Sequence, residues 1–526
     1  MISKLITVEF TDNSLYTDNT TNDVIGMVMP ASWGPVNKVT SVTQDKFYEL
    51  FPAEATEYYA KAESCFTSGA GMMEIVRPQL ESTYYHGILY QAQTTNALTL
   101  TSVRQKTAQV GQILPAPEPA IAKQLLTFST RYPGNMPLDG EIGFNITLAV
   151  VDEVPTITIS ITKGKGGSLE VLATFEGGLT PGQLVDGQPY YIEDVMNKTS
   201  TYITCKVLDA QTLINACSQV IEPNETPGYT GTIEYTLDSI DFSSLTEDDL
   251  IPIYSSQFGS INLSNATILI PTFASAKLNN TVIACASKRM NCVSIVGYPT
   301  SDAFDLDTIK EFLQTLTADK FGFFYACRDT ETAKGVSFIN DGVGIIAARY
   351  AATAAADTIN QPPSSTTWGA FPGSIIETLD EDGVLALQEV GGNTVYTTTN
   401  GPTIWGIKTL HNRQSSYFAK VNVMRVIANL LYTTYPLLDE VHHTPNTDRK
   451  KAMVQANRQA FLDDLIAREV LKAQSTCQCD ANNNKDIDTN GGELLIIDFD
   501  MWFVKLIERF KIRITASDTT TQVTIS

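Results

Sequence analysis

Between about residue 86 and residue 250 the sequence changes texture, and that change constrains the plan of the whole chain. Thr, Val, Ile, Tyr and Gly dominate there, as in "TITISITKGKGG" and "YYIEDVMNKTSTYITCKVLDAQTL". Short β-prone runs separated by Gly, Pro and Asp turns predict an all-β unit. On either side apolar strands alternate with amphipathic helices. "DVIGMVMPASWGPVNKVTSV" predicts a strand, a turn at Trp33-Gly34-Pro35 and a second strand. Helices follow around 44–50 and 55–66, then a short strand ending at Arg77-Pro78. Further on, "NCVSIVGYP" and "FGFFYACR" predict buried strands, and the helix between them places Ile309, Phe312, Leu313 and Leu316 on one face. "DGVGIIAARYAATAAA" predicts a second, Ala-rich helix. A β unit that interrupts such a pattern is an insertion at the surface of a mixed α/β core. The fold class is therefore α+β multidomain, with the core closed by segments from both ends of the chain.

The C-terminal part adds two long helices. One carries Val421, Met424, Ala428 and Leu431 at helical spacing; the other is capped near Thr447 and buries Val454, Phe461 and Leu465. Then Leu495, Ile497, Phe499, Met501 and Phe503 alternate with Asp498 and Asp500, a strand pattern whose phase slips at Val504. A bulge or a change of sheet is expected there. Both chain ends are also strand-like, although termini normally carry polar, loosely held sequence. Ile6, Val8 and Phe10 alternate with Thr7 and Glu9; Phe510, Ile512 and Ile514 alternate with Arg509, Lys511 and Arg513, and Val523 and Ile525 follow. The runs Thr11–Asp23 and Ser517–Thr521 beside these strands are polar.

Charge and motifs exclude several functions. With 36 basic and 58 acidic side chains in 526 residues the net charge is −22, which argues against nucleic acid as the main partner. Residues 401–526 hold 15 Lys/Arg and 14 Asp/Glu, whereas 86–250 hold 8 and 19. A polarised molecule with one face for a partner follows. The basic candidates for such a face are Lys450, Lys451, Lys505, Arg509, Lys511 and Arg513, whose bland alternative is a solvated strand or helix face. No apolar run reaches the length of a membrane span, so no membrane insertion is expected. The eight scattered cysteines sit in apolar segments and predict buried thiols.

No catalytic signature stands out: there is no phosphate loop, nucleophile elbow or H-E-x-x-H, and the chain has only four histidines. "DANNNKDIDTNGGE" matches half of a calcium loop from Asp486, but its twelfth position is Ile497 instead of an acid. Cys477 and Cys479 share a strand face, with only His442 and His443 as further zinc ligands at a spacing that fits no zinc pattern. Catalysis, cofactors and metals are thus not expected.

Several segments taken together resemble contractile phage tail sheath proteins. "GMVMPASWGPVNKVTSVTQDKFYELF" is similar to the opening of that family, and "AESCFTSGAGMMEIVRP" to its next helix–Gly–strand segment. "WGAFPGSI", "IWGIKTLHNRQSSYFAKVNVMRVIANLL" and "CQCDANNN" resemble later family motifs. The resemblance covers about 22–85 and 255–526; Met424 stands where the family commonly has Arg, and an Arg-Thr-Asp run is missing between Ala347 and Trp368. It implies six regions: an N-terminal arm (1–21), core (22–85), an inserted outer domain (86–250), an α/β domain (251–395), a C-terminal core (396–510) and a C-terminal arm (511–526). It further implies a structural, non-enzymatic subunit that forms hexameric rings stacked around a tail tube and contracts. Ile6, Val8, Phe10, Ile512, Ile514, Val523 and Ile525 would then be strands given to neighbouring subunits, with the polar runs Thr11–Asp23 and Ser517–Thr521 as hinges beside them. The implied partners are other copies of the chain, the tube protein, and baseplate and tail terminator proteins. The implied location is the virion tail, after assembly in the host cytoplasm. Two alternatives remain: the sheath of a tailocin or extracellular injection system, and a receptor- or carbohydrate-binding surface protein acting through the β unit.

Overall fold

The computed structural model describes residues 23–79, 84–92, 98–105, 121–134, 142–163, 170–218, 228–233, 242, 245–485, 493–506, 512–516 and 521–525. At its centre is an eight-stranded sheet in the order Thr40–Val42, Met72–Val76, Val24–Val28, Ile268–Leu269, Val293–Gly297, Gly322–Ala326, Gly392–Thr398, Gly401–Trp405. The six inner strands run parallel and the two edge strands antiparallel. Every residue of Val24–Val28, Val293–Gly297 and Gly322–Ala326 is buried, as expected of parallel strands covered on both faces. Phe323 and Tyr325 enter one apolar cluster with helix Val343–Ala356, while Phe324 and Ala326 enter a second with helices Leu306–Gln314 and Glu381–Glu389.

The sheet is closed by distant parts of the chain. Ile25 pairs with Ile268 and Gly26 with Leu269, so the N-terminal strands are continuous with the strands after residue 250. Between them lie two antiparallel four-stranded sheets. The first has the order Ile203–Val207, Ile121–Thr130, Tyr84–Ala92, Leu98–Gln105; the second Gly228–Ile233, Ile142–Val151, Val154–Lys163, Glu170–Gly178. Phe128 of one stacks on Phe144 of the other at 4.4 Å between ring centres. This stretch is β-rich but also holds helices Ile192–Thr199 and Ala210–Ser218, which the all-β expectation omitted. The signal was in "YIEDVMNKT": Ile192 and Met196, one helical turn apart, are both buried. Strand Tyr84–Ala92 spans residue 86, and helix Glu247–Ile253 spans residue 250 with Leu250 in the central core.

The insert does not hang freely. Trp33, in the turn after the first core strand, belongs to the insert's own apolar cluster and lies 5.4 Å from Tyr132. Arg77 is fully buried below it and donates to the carbonyls of Ala31, Ser32, Gly34 and Pro133 at 2.5–3.0 Å. Two glycines make this junction possible. At Gly34 (φ +116°) a Cβ would meet the Phe51 ring at 2.5 Å, and at Gly134 (φ +102°) it would meet the Ser32 carbonyl at 2.2 Å.

In the C-terminal part, helices Val421–Val441 and Asp448–Ala467 share a small core of Val423, Val426, Leu462, Leu465, Val470 and Phe503. Thr447 caps the second helix through the Lys450 amide at 3.3 Å. Met424 faces the central core, so an apolar side chain suits that position. The nine-residue strand expected over 495–503 is a correction: only Asp498–Asp500 forms a ladder, against Thr476–Gln478. The partner strand is three residues long, and the Asn484 side chain takes the backbone of Ile496 instead. The face alternation persists without the ladder, since Leu495, Ile497, Phe499 and Met501 are half-buried and Asp498 and Asp500 exposed. Past the slip, Val504 is exposed instead of joining a new buried set.

Candidate assembly interface

The N-terminal arm joins the core at Asp23. Its carboxylate pairs with the Arg425 guanidinium, both groups buried, and accepts from Thr267 Oγ1 at 2.8 Å. Arg425 lies 4.9 Å from the Tyr350 ring centre, and the Tyr350 and Tyr325 hydroxyls meet at 2.7 Å. Burial pushes the Tyr350 phenol up to about 12. Asp23 is thereby anchored in the middle of the molecule. Ile6, Val8 and Phe10 themselves lie outside the described residues.

At the other end, Ile512–Ala516 and Thr521–Ile525 form an antiparallel pair with Ile512 opposite Ile525 and Ile514 opposite Val523. The terminal strands are thus a hairpin and not two separate extended segments. The register puts positions 512, 514, 523 and 525 on one face of the ribbon. Thr521, assigned to the hinge from sequence, is the first residue of the second strand; residues 517–520 lie outside the described residues. Among the described residues the ribbon is a separate two-stranded sheet, with no third strand on either edge.

The basic candidates do not form one patch. Lys450 and Lys451 occupy the first turn of helix Asp448–Ala467; Lys451 is only 12% exposed and meets Asp448 at 3.3 Å. Lys505 is exposed on a different element, its ammonium 5.8 Å from the Tyr417 ring centre. Arg509 and Lys511 lie outside the described residues, and Arg513 is placed only by its backbone in the hairpin.

Sequence reasoning missed a cleft of about 190 Å³ where the chain leaves for the hairpin. Ile407, Val423, Phe503 and Leu506 supply apolar lining, Ser415, Ser416 and Asn422 neutral polar groups, and Lys420 and Lys505 the charge. Tyr417 beside it is 53% exposed and Val504 36%. The one available signal was the phase slip at Val504, which leaves an apolar side chain without a core.

A buried charge cluster ties the α/β core together. Lys61 pairs with Asp341 at 2.9 Å, Glu331 accepts from Ser64 Oγ and Asn340 Nδ2, and Asp329 is fully buried with neither carboxylate oxygen bonded. Burial, reinforced by the other carboxylates, raises the Asp329 carboxyl far above the ordinary range, and burial also raises Glu331. Asp329 and Glu331 lie between helix Glu57–Thr67 and the strands beside it, while Lys61, Asn340 and Asp341 also line a cleft of about 300 Å³. Among the described residues no cluster of His, Cys, Asp and Glu is arranged to hold a metal ion, and no helix is long and apolar enough to cross a membrane. The eight cysteines are free and buried, and burial raises the thiols of Cys477 and Cys479. "DANNN" is closed by its own side chains: Asp480 accepts from the Asn482 amide at 2.7 Å, and Asn483 reaches the Gln478 carbonyl at 2.9 Å.

No protein-family model matches the chain, and no curated protein sequence does. Solved structures do. The sheath tail protein of Listeria innocua superposes with a TM-score of 0.55 at 11% identity, over 97% of this chain and 98% of that one. The sheath tail protein of Desulfitobacterium hafniense gives 0.50 at 11% identity, over 96% of each chain. The fold is the tail sheath fold. A weaker likeness, TM-score 0.43 at 15% identity, links 53% of this chain to the contracted sheath of an extracellular contractile injection system.

Proposed function

We propose that this chain is the structural subunit of a contractile tail sheath. The observation that carries the reading is the agreement in fold with sheath tail proteins along almost the full length of both chains. The terminal ribbon supports it independently, because among the described residues it is a two-stranded sheet with open edges, which is marginal alone and gains main-chain hydrogen bonds by taking a strand from another chain. Copies of the chain assemble as hexameric rings stacked around a tail tube. The N-terminal strand at Ile6, Val8 and Phe10 and the ribbon at Ile512, Ile514, Val523 and Ile525 knit neighbours together. Contraction draws on a second packing of the same subunits and consumes no cofactor. The insert, read from sequence as residues 86–250, faces outward and carries the acidic charge; the C-terminal part faces the tube through basic side chains drawn from Lys450, Lys451, Lys505, Arg509, Lys511 and Arg513. The tube, baseplate and terminator proteins are the further partners, and the virion tail is the place of action.

Sedimentation of the purified full chain, followed by electron microscopy of the fast fraction, tests this reading. The expected result is tubes of uniform diameter. A monodisperse protein at all concentrations and salts contradicts polymerisation and favours a surface-binding role for the insert.

A further inference from the structure

The loop that follows edge strand Gly401–Trp405 frames an open cleft of about 600 Å³, lined by His411, Asn412, Arg413, Ser416 and Phe418. Phe418 is 42% exposed, yet its backbone is fixed. Its amide donates to Ser416 Oγ at 3.2 Å, and its carbonyl accepts from Thr409 Oγ1 at 2.8 Å. The Lys320 ammonium lies 4.9 Å from the Phe418 ring centre, and Arg413 is exposed. Among the described residues no acid lines the cleft. Asp319, next to Lys320, accepts instead from Ser287 Oγ and the Phe321 amide, both at 2.7 Å. A held aromatic ring beside two cations is suited to a partner that is acidic and partly apolar.

Helix Glu381–Glu389 presents that chemistry. Its inner side buries Val384 and Leu387; the outer side carries Glu381, Asp382, Leu385 and Glu389 within about 100° of arc. Leu385 is 54% exposed. Glu381 and Asp382 suit the positive end of the helix. Glu389 does not, because it stands in a last turn that has no basic residue and opposes the helix dipole. A cation brought from outside relieves that repulsion. Charge also selects the occupant. Residues 401–526, which hold the loop, have 15 Lys/Arg and 14 Asp/Glu, so the net charge of −22 lies on the remainder, where this helix sits. We propose that the outer face of this helix docks in the Phe418 cleft of a second copy of the chain. Leu385 meets the Phe418 ring, and Glu381, Asp382 and Glu389 face Lys320 and Arg413. The two surfaces differ, so each copy keeps one of them free for the next, and the contact propagates instead of stopping at a pair. It adds a contact between folded cores to the exchange of terminal strands, and rests on the assembly reading for the tubes it helps to build.

Charge exchange in the full chain tests it, read as the protein concentration at which half of the chain sediments. Lys320→Glu with Arg413→Glu is expected to raise that concentration about three- to tenfold, and Glu381→Lys with Glu389→Lys to do the same. All four changes on one chain restore opposite charges across the contact and are expected to return it to within about twofold of the starting value. Two reversals that each weaken sedimentation without mutual rescue overturn the pairing. So does rescue of the loop reversal by Asp152→Lys with Glu153→Lys, which puts the insert in the cleft. Reversals without effect, in protein of unchanged melting temperature, overturn the interface. Electron micrographs of the same samples separate this contact from the sheath reading. Uniform tubes indifferent to the exchanges keep the sheath and reject the contact; oligomers that follow the exchanges without forming tubes keep the contact and reject the sheath. A chain that stays monomeric rejects both.

Discussion

Asp329 holds no hydrogen bond on either carboxylate oxygen, in a site closed to solvent and shared with Glu331, Asp341 and Lys61. One cation among three acids cannot neutralise them all, so a proton remains on the cluster at neutral pH. Desolvation first, and then the Glu331 and Asp341 charges, raise the Asp329 carboxyl from 3.8 to about 9. The folded state therefore binds more protons than the unfolded state between those values. Stability from this group is full below the unfolded pKa and is lost as pH rises through the folded one. Thermal unfolding is expected to show a melting temperature that falls between pH 6 and pH 9, and Asp329→Asn should flatten that fall. An unchanged slope in the variant would show that other groups carry the dependence. At this scale the sequence was partly legible. Thr447 announced its cap, but nothing in the sequence marked Arg425 as half of a buried ion pair. Its partner Asp23 could not be read, because the contact joins residues 402 positions apart.

At the scale of elements, the junction of the insert decides what can be removed. Trp33 fills the insert's core from the central domain, and Arg77 loses the Pro133 carbonyl if the insert goes. Replacing residues 86–250 would cut strand Tyr84–Ala92 and helix Glu247–Ile253, so the cleaner exchange is residues 80–241 for a short linker. With Trp33 left in place, the shortened chain exposes a large aromatic and is expected to aggregate. Combined with Trp33→Ser it should be soluble and show a cooperative melt by circular dichroism. Loop closure adds only about 0.6 kcal/mol per doubling of length, which does not oppose the exchange. Failure of both forms to fold would make the insert part of the core. The parallel strands Val24–Val28, Val293–Gly297 and Gly322–Ala326 were legible as apolar runs and helix Asp448–Ala467 from its cap and spacing, whereas helices Ile192–Thr199 and Ala210–Ser218 were missed. The strand over 495–503 misled because alternation reports which side chains face inward and not whether a partner strand is long enough to pair with.

Across the whole molecule, the uneven charge bears on attachment to a tube. Exposed ionic contacts are worth about 0.2–1 kcal/mol each, so only their repetition along a polymer holds it in place. Added salt should weaken co-sedimentation of sheath with tube, since exposed charges are screened beyond about 8–10 Å at ordinary ionic strength. Lys505→Glu should weaken it more than Lys451→Glu, because Lys451 is largely covered and committed to Asp448. Insensitivity to salt and to both reversals would make the attachment apolar. The mixed α/β plan with a β-rich stretch inside it was legible in outline from the change of texture. That the C-terminal strands pair with each other was not, since a period of two specifies a strand and its faces but not its neighbour.

Strand exchange through the ends is the central claim, and truncation tests it most directly. Electron microscopy of the purified full chain is compared with a chain ending at residue 510, which lacks the ribbon but keeps both long C-terminal helices. The full chain is expected to form tubes of uniform diameter, and the truncated chain to stay folded, soluble and unpolymerised. Tubes of normal length and diameter from the truncated chain would contradict the claim.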